Sequence, residues 1–149
     1  MDLAYGEELR SQIRALGLEA YAAVEGPQPH GRIPALLRAC HLVLNLSQTG
    51  SLDKTVLEAM ACGVPVLTSN DAFFEWLKGP AAGLCTLDTE DPHAIAARML
   101  EVLGPGGKML GRDLRRIVVQ NHSSKQLVPR LVEILRGAAT TTPAPPSGI

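Results

Sequence analysis

The residues best suited to chemistry lie between positions 45 and 69, where a loop rich in serine, threonine and glycine joins an apolar run to a helix. The backbone amides of such a loop and the positive end of the helix dipole point to one spot, an arrangement that suits a phosphate. Gly50 lets the backbone approach a ligand closely, and Thr49 and Ser51 offer hydroxyl donors. The pattern indicates an anion-binding loop at residues 47–53, although the GxxxxGK[ST] pattern of a P-loop is absent.

The helix after this loop is predicted to run from Lys54 to Cys62, with Asp53 as its N-terminal cap and Gly63 at its end. Its apolar stripe consists of Val56, Leu57, Met60 and Ala61. Lys54 and Glu58 are four residues apart and share the face away from that stripe. Two interpretations stay open: an ordinary surface ion pair worth a few tenths of a kcal/mol, or a pair that faces a ligand at the loop.

Patterns typical of strands and helices alternate along residues 6–103, which is the order of βαβ units around a parallel sheet. About four strands are expected, at residues 21–24, 41–46, 66–68 and 83–87. Helices are expected at residues 6–16, about 33–39, 54–62, 71–78, 92–103, 108–121 and 124–136. The run at 41–46 does not alternate, so it is predicted to be a central strand buried on both faces.

The predicted organisation is a three-layer α/β domain over residues 1–137, followed by a disordered tail rich in proline and threonine over residues 138–149. Asp91 followed by Pro92 is a strong signal for the start of a helix. Capping of that helix therefore explains Asp91, the last carboxylate of the acidic run at residues 88–91. Ligands of parallel sheets bind at the carboxyl ends of the strands. The loops expected to bind are therefore residues 26–32, 47–53, 69–71 and 87–91.

Composition excludes several classes of protein. The chain has 149 residues, 46% of them hydrophobic, which is enough for one domain with a buried core. Fourteen Lys and Arg balance 15 Asp and Glu, so no basic footprint for nucleic acid is present. No apolar run reaches the roughly 18 residues of a membrane span, and no signal-peptide pattern is seen, so a cytoplasmic protein is expected. The cysteines and histidines lack metal-ligand spacing, and no metal site is predicted.

Residues 57–66, LEAMACGVPV, carry a resemblance to a known family. They match the form LEAMAxGxPV in full, and the stretch resembles the donor-site signature of group 1 retaining glycosyltransferases of the GT-B fold. Residues 17–41 and 88–103 resemble neighbouring segments of that family, and the similarity covers roughly residues 5–136. The resemblance implies a Rossmann-like donor-binding domain that binds a nucleoside-diphosphate sugar, transfers the glycosyl group with retention and needs no metal or other cofactor.

The resemblance also implies roles for individual residues. Glu58 would bond the ribose hydroxyls, and the amides of residues 51–54 would hold the diphosphate. The implied donor-binding residues are Thr49, Gly50, Ser51, Leu52, Asp53, Lys54 and Glu58. The implied nucleobase loop is Gly26, Pro27 and Gln28. Gly50 stands where the family has the first of its two glutamates, so Ser51 and the backbone would replace that carboxylate.

Other parts of the family pattern are not found in this chain. The strand and the GRLxxxKG loop that open the family's donor domain are absent, and so is the acceptor domain. We therefore expect a truncated donor domain without catalytic residues of its own, inactive alone, that needs the missing acceptor domain or a second polypeptide. The alternatives are a non-catalytic nucleotide-binding module or inactive fragment, and a flavodoxin-like interaction domain. The resemblance is also compatible with peripheral membrane association of the whole enzyme.

Overall fold

The computed structural model describes residues 3–48, 50–74, 77, 80–105 and 107–140. Two short strands are described, β1 (Val43–Asn45) and β2 (Val66–Thr68). The α-helices are α1 (Leu3–Ala15), α2 (Ile33–Ala39), α3 (Lys54–Cys62), α4 (Pro80–Cys85), α5 (Pro92–Leu103), α6 (Gly107–His122) and α7 (Ser124–Thr140). Single 3₁₀ turns lie at His30–Arg32 and Asp71–Phe73. The chain falls into two compact units, divided between Leu36 and Leu37, and each is described by itself.

The first unit contains α1 and an irregular segment rather than the strand predicted at residues 21–24. Gly17, two residues after the end of α1, adopts the left-handed conformation with φ of +66°. The amide of Leu18 donates to the carbonyl of Ile13 at 3.0 Å. The amide of Tyr21 then donates to the carbonyl of Leu18 at 2.9 Å. The strand prediction was wrong because this segment closes a local turn instead of pairing with a neighbouring strand.

The sheet of the second unit is built from β1 and β2, which pair in parallel. Val43 lies opposite Val66, Leu44 opposite Leu67, and Asn45 opposite Thr68. On the other edge of β2, Thr68 forms a single parallel bridge with Thr86. The strand predicted at residues 83–87 was wrong, because α4 takes the chain as far as Cys85 and leaves only this bridge. Two of the four expected strands are thus present among the described residues.

The two strands differ in burial. All three residues of β2 are buried, with Leu67 and Thr68 at 0% exposure. Leu44 in the middle of β1 is 39% exposed, so the prediction of a strand buried on both faces was wrong. The reason is that β2 has hydrogen-bonded neighbours on both edges, whereas β1 pairs with β2 alone within the described part of the chain.

Helix α3 matches its predicted bounds and packs against α6. Its buried residues are Val56, Ala59 and Met60, and those of α6 include Leu110, Leu114 and Val118 at helical spacing. Gly63 ends α3 with φ of +76°, and its carbonyl lies against Gly111 of α6. A side chain at position 111 would overlap that carbonyl oxygen, so the two backbones meet directly.

Helices α4 and α5 pack together beside the sheet. Asp91 caps α5 as predicted, because its Oδ1 accepts a hydrogen bond from the amide of His93 at 3.1 Å, and Pro92 opens the helix. Arg98 of α5 donates to the carbonyl of Gly83 in α4. Cys85, at the end of α4, is fully buried, and this burial raises the pKa of its thiol to about 12, although the charge of Arg98 opposes the shift.

The C-terminal helix α7 extends to Thr140 and includes residues 138–140, which were expected to belong to the tail. The rest of that predicted tail, residues 141–149, lies outside the described residues. The large apolar side chains of α7 are exposed: Leu127, Val128, Leu131, Val132, Ile134 and Leu135. Among the described residues, none of the helices combines the length and the apolar composition that a bilayer crossing requires.

Candidate functional site

The loop predicted to bind an anion leaves the carboxyl end of β1 and leads directly into α3. Hydrogen bonds join it to both strands. Thr68 at the end of β2 donates its hydroxyl to Oδ1 of Asn45 at 2.9 Å, and Nδ2 of Asn45 donates to the carboxylate of Asp53 at 3.0 Å. The start of α3 is therefore tied to the ends of the two strands by side-chain hydrogen bonds.

Asn70 holds a second point of the same loop. Its side chain is fully buried, and Nδ2 donates to the backbone carbonyl of Ser51 at 2.8 Å. Its Oδ1 accepts from the amide of Ala72 at 3.1 Å, and its own amide donates to the Thr68 hydroxyl at 3.1 Å. Because each of these polar groups is satisfied, the buried amide stabilises one position of the loop rather than costing stability.

The roles of Asn45, Thr68 and Asn70 were not predicted from the sequence. Asn45 is the last but one residue of the predicted strand 41–46 and Thr68 is the last residue of the predicted strand 66–68, and the two lie opposite each other in the observed register. Polar side chains at the carboxyl ends of adjacent strands were the signal that could have found them, since these ends meet at the ligand edge of a parallel sheet.

Asp53 occupies the N-terminal cap position of α3, but its side chain makes no bond to the amides of the helix. This corrects the predicted capping role. The carboxylate accepts instead from the hydroxyl of Ser47 and from Asn45, and these hydrogen bonds hold the pKa of Asp53 below its ordinary value, with a smaller contribution from Asn70. The Asp53 side chain therefore does not cap the first-turn amides of α3, which form the positive end of the helix dipole.

Lys54 and Glu58 lie on one side of α3, with Nζ and Oε1 3.8 Å apart. The Lys54 side chain is 79% exposed, whereas that of Glu58 is 29% exposed. Such a long and exposed contact is worth about 0.3–0.5 kcal/mol. The geometry is that of a loose surface pair, and the weak contact leaves both side chains able to turn toward a ligand.

The remaining predicted residues are placed as follows. Gly50 has φ of +65° and no atom within 4 Å of where a side chain would begin, so glycine serves the backbone conformation there. Leu52 is half-buried, and Thr49 lies outside the described residues. In the first unit, Gly26 and Pro27 are exposed. Gln28 donates to Glu25 at 3.2 Å and accepts from Arg32 at 3.1 Å.

A cavity of about 390 Å³ adjoins this loop at the carboxyl ends of the strands. Its lining comes from three of the four loops expected to bind: Gln48 from the first, Ser69 from the second, and residues 87–90 from the third, together with Phe74. A larger cavity of about 780 Å³ lies at the opposite, amino ends of the strands and includes His41, Gly63 and Pro65. Among the described residues, no cluster of three His, Cys, Asp or Glu side chains could hold a metal ion.

Comparison with known proteins places this fold and loop in a family. The family of group 1 glycosyl transferases matches residues 3–135, and the chain belongs to it. The fold is similar to that of HepE from Anabaena, whose crystal structure is in complex with UDP-glucose, with a TM-score of 0.75 and 22% sequence identity. The match covers 91% of this chain and 38% of the HepE chain, so this chain spans well under half of that protein. No curated protein is significantly similar to the chain.

The match agrees with the expected α/β fold of a GT-B glycosyltransferase. It was the sequence of α3 and of the turn into β2, residues 57–66, that indicated the family. In the structure this segment forms the greater part of α3, the turn at Gly63 and the first residue of β2. Membership in the family and the position of the loop together make this loop the candidate functional site.

Proposed function

We propose that this chain is part of the donor-binding domain of a glycosyltransferase, where it binds a nucleoside-diphosphate sugar for transfer of the glycosyl group to an acceptor with retention. The observation that carries the proposal is the loop between β1 and α3, in a member of the group 1 glycosyl transferases. The loop stands at the carboxyl ends of two parallel strands and leads into the positive end of a helix. HepE, which shares the fold, was crystallised in complex with UDP-glucose.

In this proposal the diphosphate lies against the backbone of residues 51–54. The amides at the start of α3 point toward a bound anion, and the charge of the exposed Lys54 adds an attraction. Developing negative charge on the leaving diphosphate would be stabilised by the same groups. The hydrogen bonds from Asn70 to the carbonyl of Ser51 and from Asn45 to Asp53 support this geometry, because they hold the loop in place before a ligand arrives.

Glu58 is the proposed ligand of the ribose hydroxyls. It lies one helical turn beyond Lys54, on the same side of α3, and its side chain is less exposed than that of Lys54. A carboxylate accepts hydroxyl hydrogen bonds well, and these bonds are stronger when the acceptor is charged. The proposal includes no metal cofactor, since the helix dipole and Lys54 supply positive charge, and it requires an acceptor domain or second polypeptide for transfer.

The test is titration calorimetry with UDP, GDP and ADP on the wild-type chain and two variants. Loss of hydrogen bonds to a charged group costs roughly 1.5–3 kcal/mol, so Glu58→Ala should weaken the best ligand by up to about a hundredfold. Lys54→Ala should weaken it less, and the affinity should fall with added salt, because the phosphate contact is electrostatic. Glu101→Ala is the matched control, since it also removes the glutamate of a helical ion pair, with Arg98, on a different helix.

Equal affinity in the wild type, Glu58→Ala and Lys54→Ala would overturn the site assignment. Absence of binding by the wild type would favour the alternative of an inactive fragment. Gly50, with its open surroundings and no carboxylate, favours a second candidate function, a nucleotide-binding module that does not transfer sugar. In that case nucleotides would bind, but no glycosyl transfer would be measured with an acceptor domain supplied in trans.

A further inference from the structure

Helices α3 and α5 each follow an aspartate, but only one of the two side chains caps its helix. Asp53 precedes α3 with φ of −68° and ψ of 124°, and Asp91 precedes α5 with φ of −67° and ψ of 118°. Asp91 accepts from the amide of His93 at 3.1 Å, whereas Asp53 makes no side-chain bond to the amides of α3. The backbone at position 53 therefore permits capping, and other contacts must hold the Asp53 carboxylate away from the helix.

The contacts that hold the Asp53 carboxylate come from the carboxyl end of β1 and the loop after it. Oγ of Ser47 and Nδ2 of Asn45 donate to the same oxygen, Oδ2 of Asp53, the second of them at 3.0 Å. These two hydrogen bonds contribute most to the lowered pKa of Asp53, and Asn70 contributes less. An N-terminal cap accepts from a single helix amide, so two donors on one oxygen favour the strand end over the helix.

Thr68 fixes the direction in which Asn45 donates. The Thr68 hydroxyl donates to Oδ1 of Asn45 at 2.9 Å and accepts from the backbone amide of Asn70 at 3.1 Å. Because the oxygen of the Asn45 side chain is bonded to Thr68, the Nδ2 of that side chain faces Asp53. Thr68 is fully buried and lies opposite Asn45 in the sheet, so the register of β1 against β2 sets this orientation.

We propose that Asn45 and Ser47 are positioning residues, which keep the Asp53 carboxylate off the first-turn amides of α3 so that these amides can bind the diphosphate. The inference rests on the proposed function, because it takes those amides as the diphosphate site. A carboxylate released from the strand end would act as an ordinary N-terminal cap and would compete with the phosphate for the same amides. Its negative charge would also repel the phosphate.

The test is a mutant cycle measured by titration calorimetry with UDP, GDP or ADP, whichever the wild type binds best. The release variant, Asn45→Ala with Ser47→Ala, frees Asp53 and should bind that diphosphate about fivefold more weakly, the effect of a typical N-terminal cap. Asp53→Ala should then raise the affinity of the release variant about fivefold, against at most about twofold in the wild-type background. A merely structural role predicts no such recovery, because a third substitution would loosen the loop further.

The position of the Asp53 carboxylate can also be measured without a ligand. Thr55 lies two residues after Asp53, as His93 lies two residues after Asp91, so its amide is the one that a released carboxylate would bind. Hydrogen exchange followed by NMR should show the Thr55 amide better protected in the release variant than in the wild type. Thr68→Val should act in the same direction, because it removes the hydroxyl that orients Asn45, whereas Thr68→Ser keeps that hydroxyl and the wild-type exchange rate.

The two measurements separate this inference from the proposed function. Asn121→Ala with Ser123→Ala is the control, since it removes the same residue types at the same spacing where α6 meets α7, and it should change neither measurement. An unprotected Thr55 amide in the release variant and in Thr68→Val, or equal gains from Asp53→Ala in both backgrounds, would overturn the inference alone. If the wild type binds no nucleoside diphosphate, the proposed function fails, and the inferred role in binding fails with it.

Discussion

Asp53 shows how one side chain can link the stability of a loop to pH. Hydrogen bonds from Ser47 and Asn45 stabilise its charged form, so its pKa lies below the ordinary value of 3.8 in the folded chain. A lowered folded pKa means that the ionised carboxylate contributes stability above the ordinary value. That contribution is lost as the pH falls below about 4, where the unfolded chain takes up the proton first.

We predict that Asp53→Asn lowers the thermal unfolding midpoint at neutral pH and that its difference from the wild type shrinks as the pH falls below about 4. The measurement is thermal unfolding followed by circular dichroism between pH 3 and 7. Asp71→Asn is the control, because it removes one exposed carboxylate from the neighbouring 3₁₀ turn. Parallel pH profiles for the wild type and Asp53→Asn would contradict the linkage.

The best-predicted elements are those with local start and stop signals. Helix α3 runs from Lys54 to Cys62 and ends at Gly63 as expected, and α5 begins at the capping pair Asp91 and Pro92. These signals act within one or two turns of the chain, so the sequence contains them in full. The strands at residues 21–24 and 83–87 were mispredicted, because a strand depends on a partner far away in sequence.

The same distinction applies to the candidate site. The loop and the helix that follows it were expected from residues 45–69, and the three loops around the smaller cavity were expected from strand order. The hydrogen bonds of Asn45 with Thr68 and of Asn70 with Ser51 join residues 23 and 19 positions apart. Such contacts require the register of β1 against β2, which local patterns do not determine.

The contact between α3 and α6 gives a prediction for helix packing. A Cβ added at Gly111 would overlap the carbonyl oxygen of Gly63 and lie 3.0 Å from its carbonyl carbon and 3.4 Å from Pro65 Cδ. Gly111→Ala should therefore destabilise the chain, although alanine favours a helix by about 1 kcal/mol. Because overpacking costs typically 1–3 kcal/mol, we expect the free energy of unfolding, measured with urea, to fall by about 1 kcal/mol.

Gly137→Ala is the matched control for this prediction. Gly137 lies inside α7, and a side chain there meets nothing within 4 Å. The substitution should leave the stability unchanged or raise it by up to about 1 kcal/mol. A Gly111→Ala variant as stable as Gly137→Ala would show that α6 can move away from α3 without loss.

At the scale of the molecule, exposed apolar surface predicts self-association. Five large side chains of α7 are at least half exposed on neighbouring turns, namely Leu127, Val128, Leu131, Ile134 and Leu135. Contiguous apolar patches of this kind favour association between molecules. We expect light scattering at high concentration to show species larger than a monomer, and the double substitution Leu131→Lys with Ile134→Lys to reduce them.

The control variant adds the same two positive charges elsewhere. Gln120→Lys with Gln126→Lys changes exposed polar positions and should leave the association as it is in the wild type. A wild-type chain that stays monomeric at high concentration would contradict the prediction. Equal reduction by both double variants would assign the association to charge rather than to the apolar side chains of α7.

Burial of Cys85 has a further consequence for how opening of the core can be timed. A thiol reacts with alkylating reagents as the thiolate, and a pKa of about 12 together with complete burial makes that form scarce in the folded chain. Labelling of Cys85 must then wait for an opening that exposes it, whereas Cys40 is exposed and reports how fast the reagent reacts without any opening. The ratio of the two labelling rates, measured by mass spectrometry, therefore reports how often the core around α4 opens. The more slowly Cys85 is labelled relative to Cys40, the rarer that opening is.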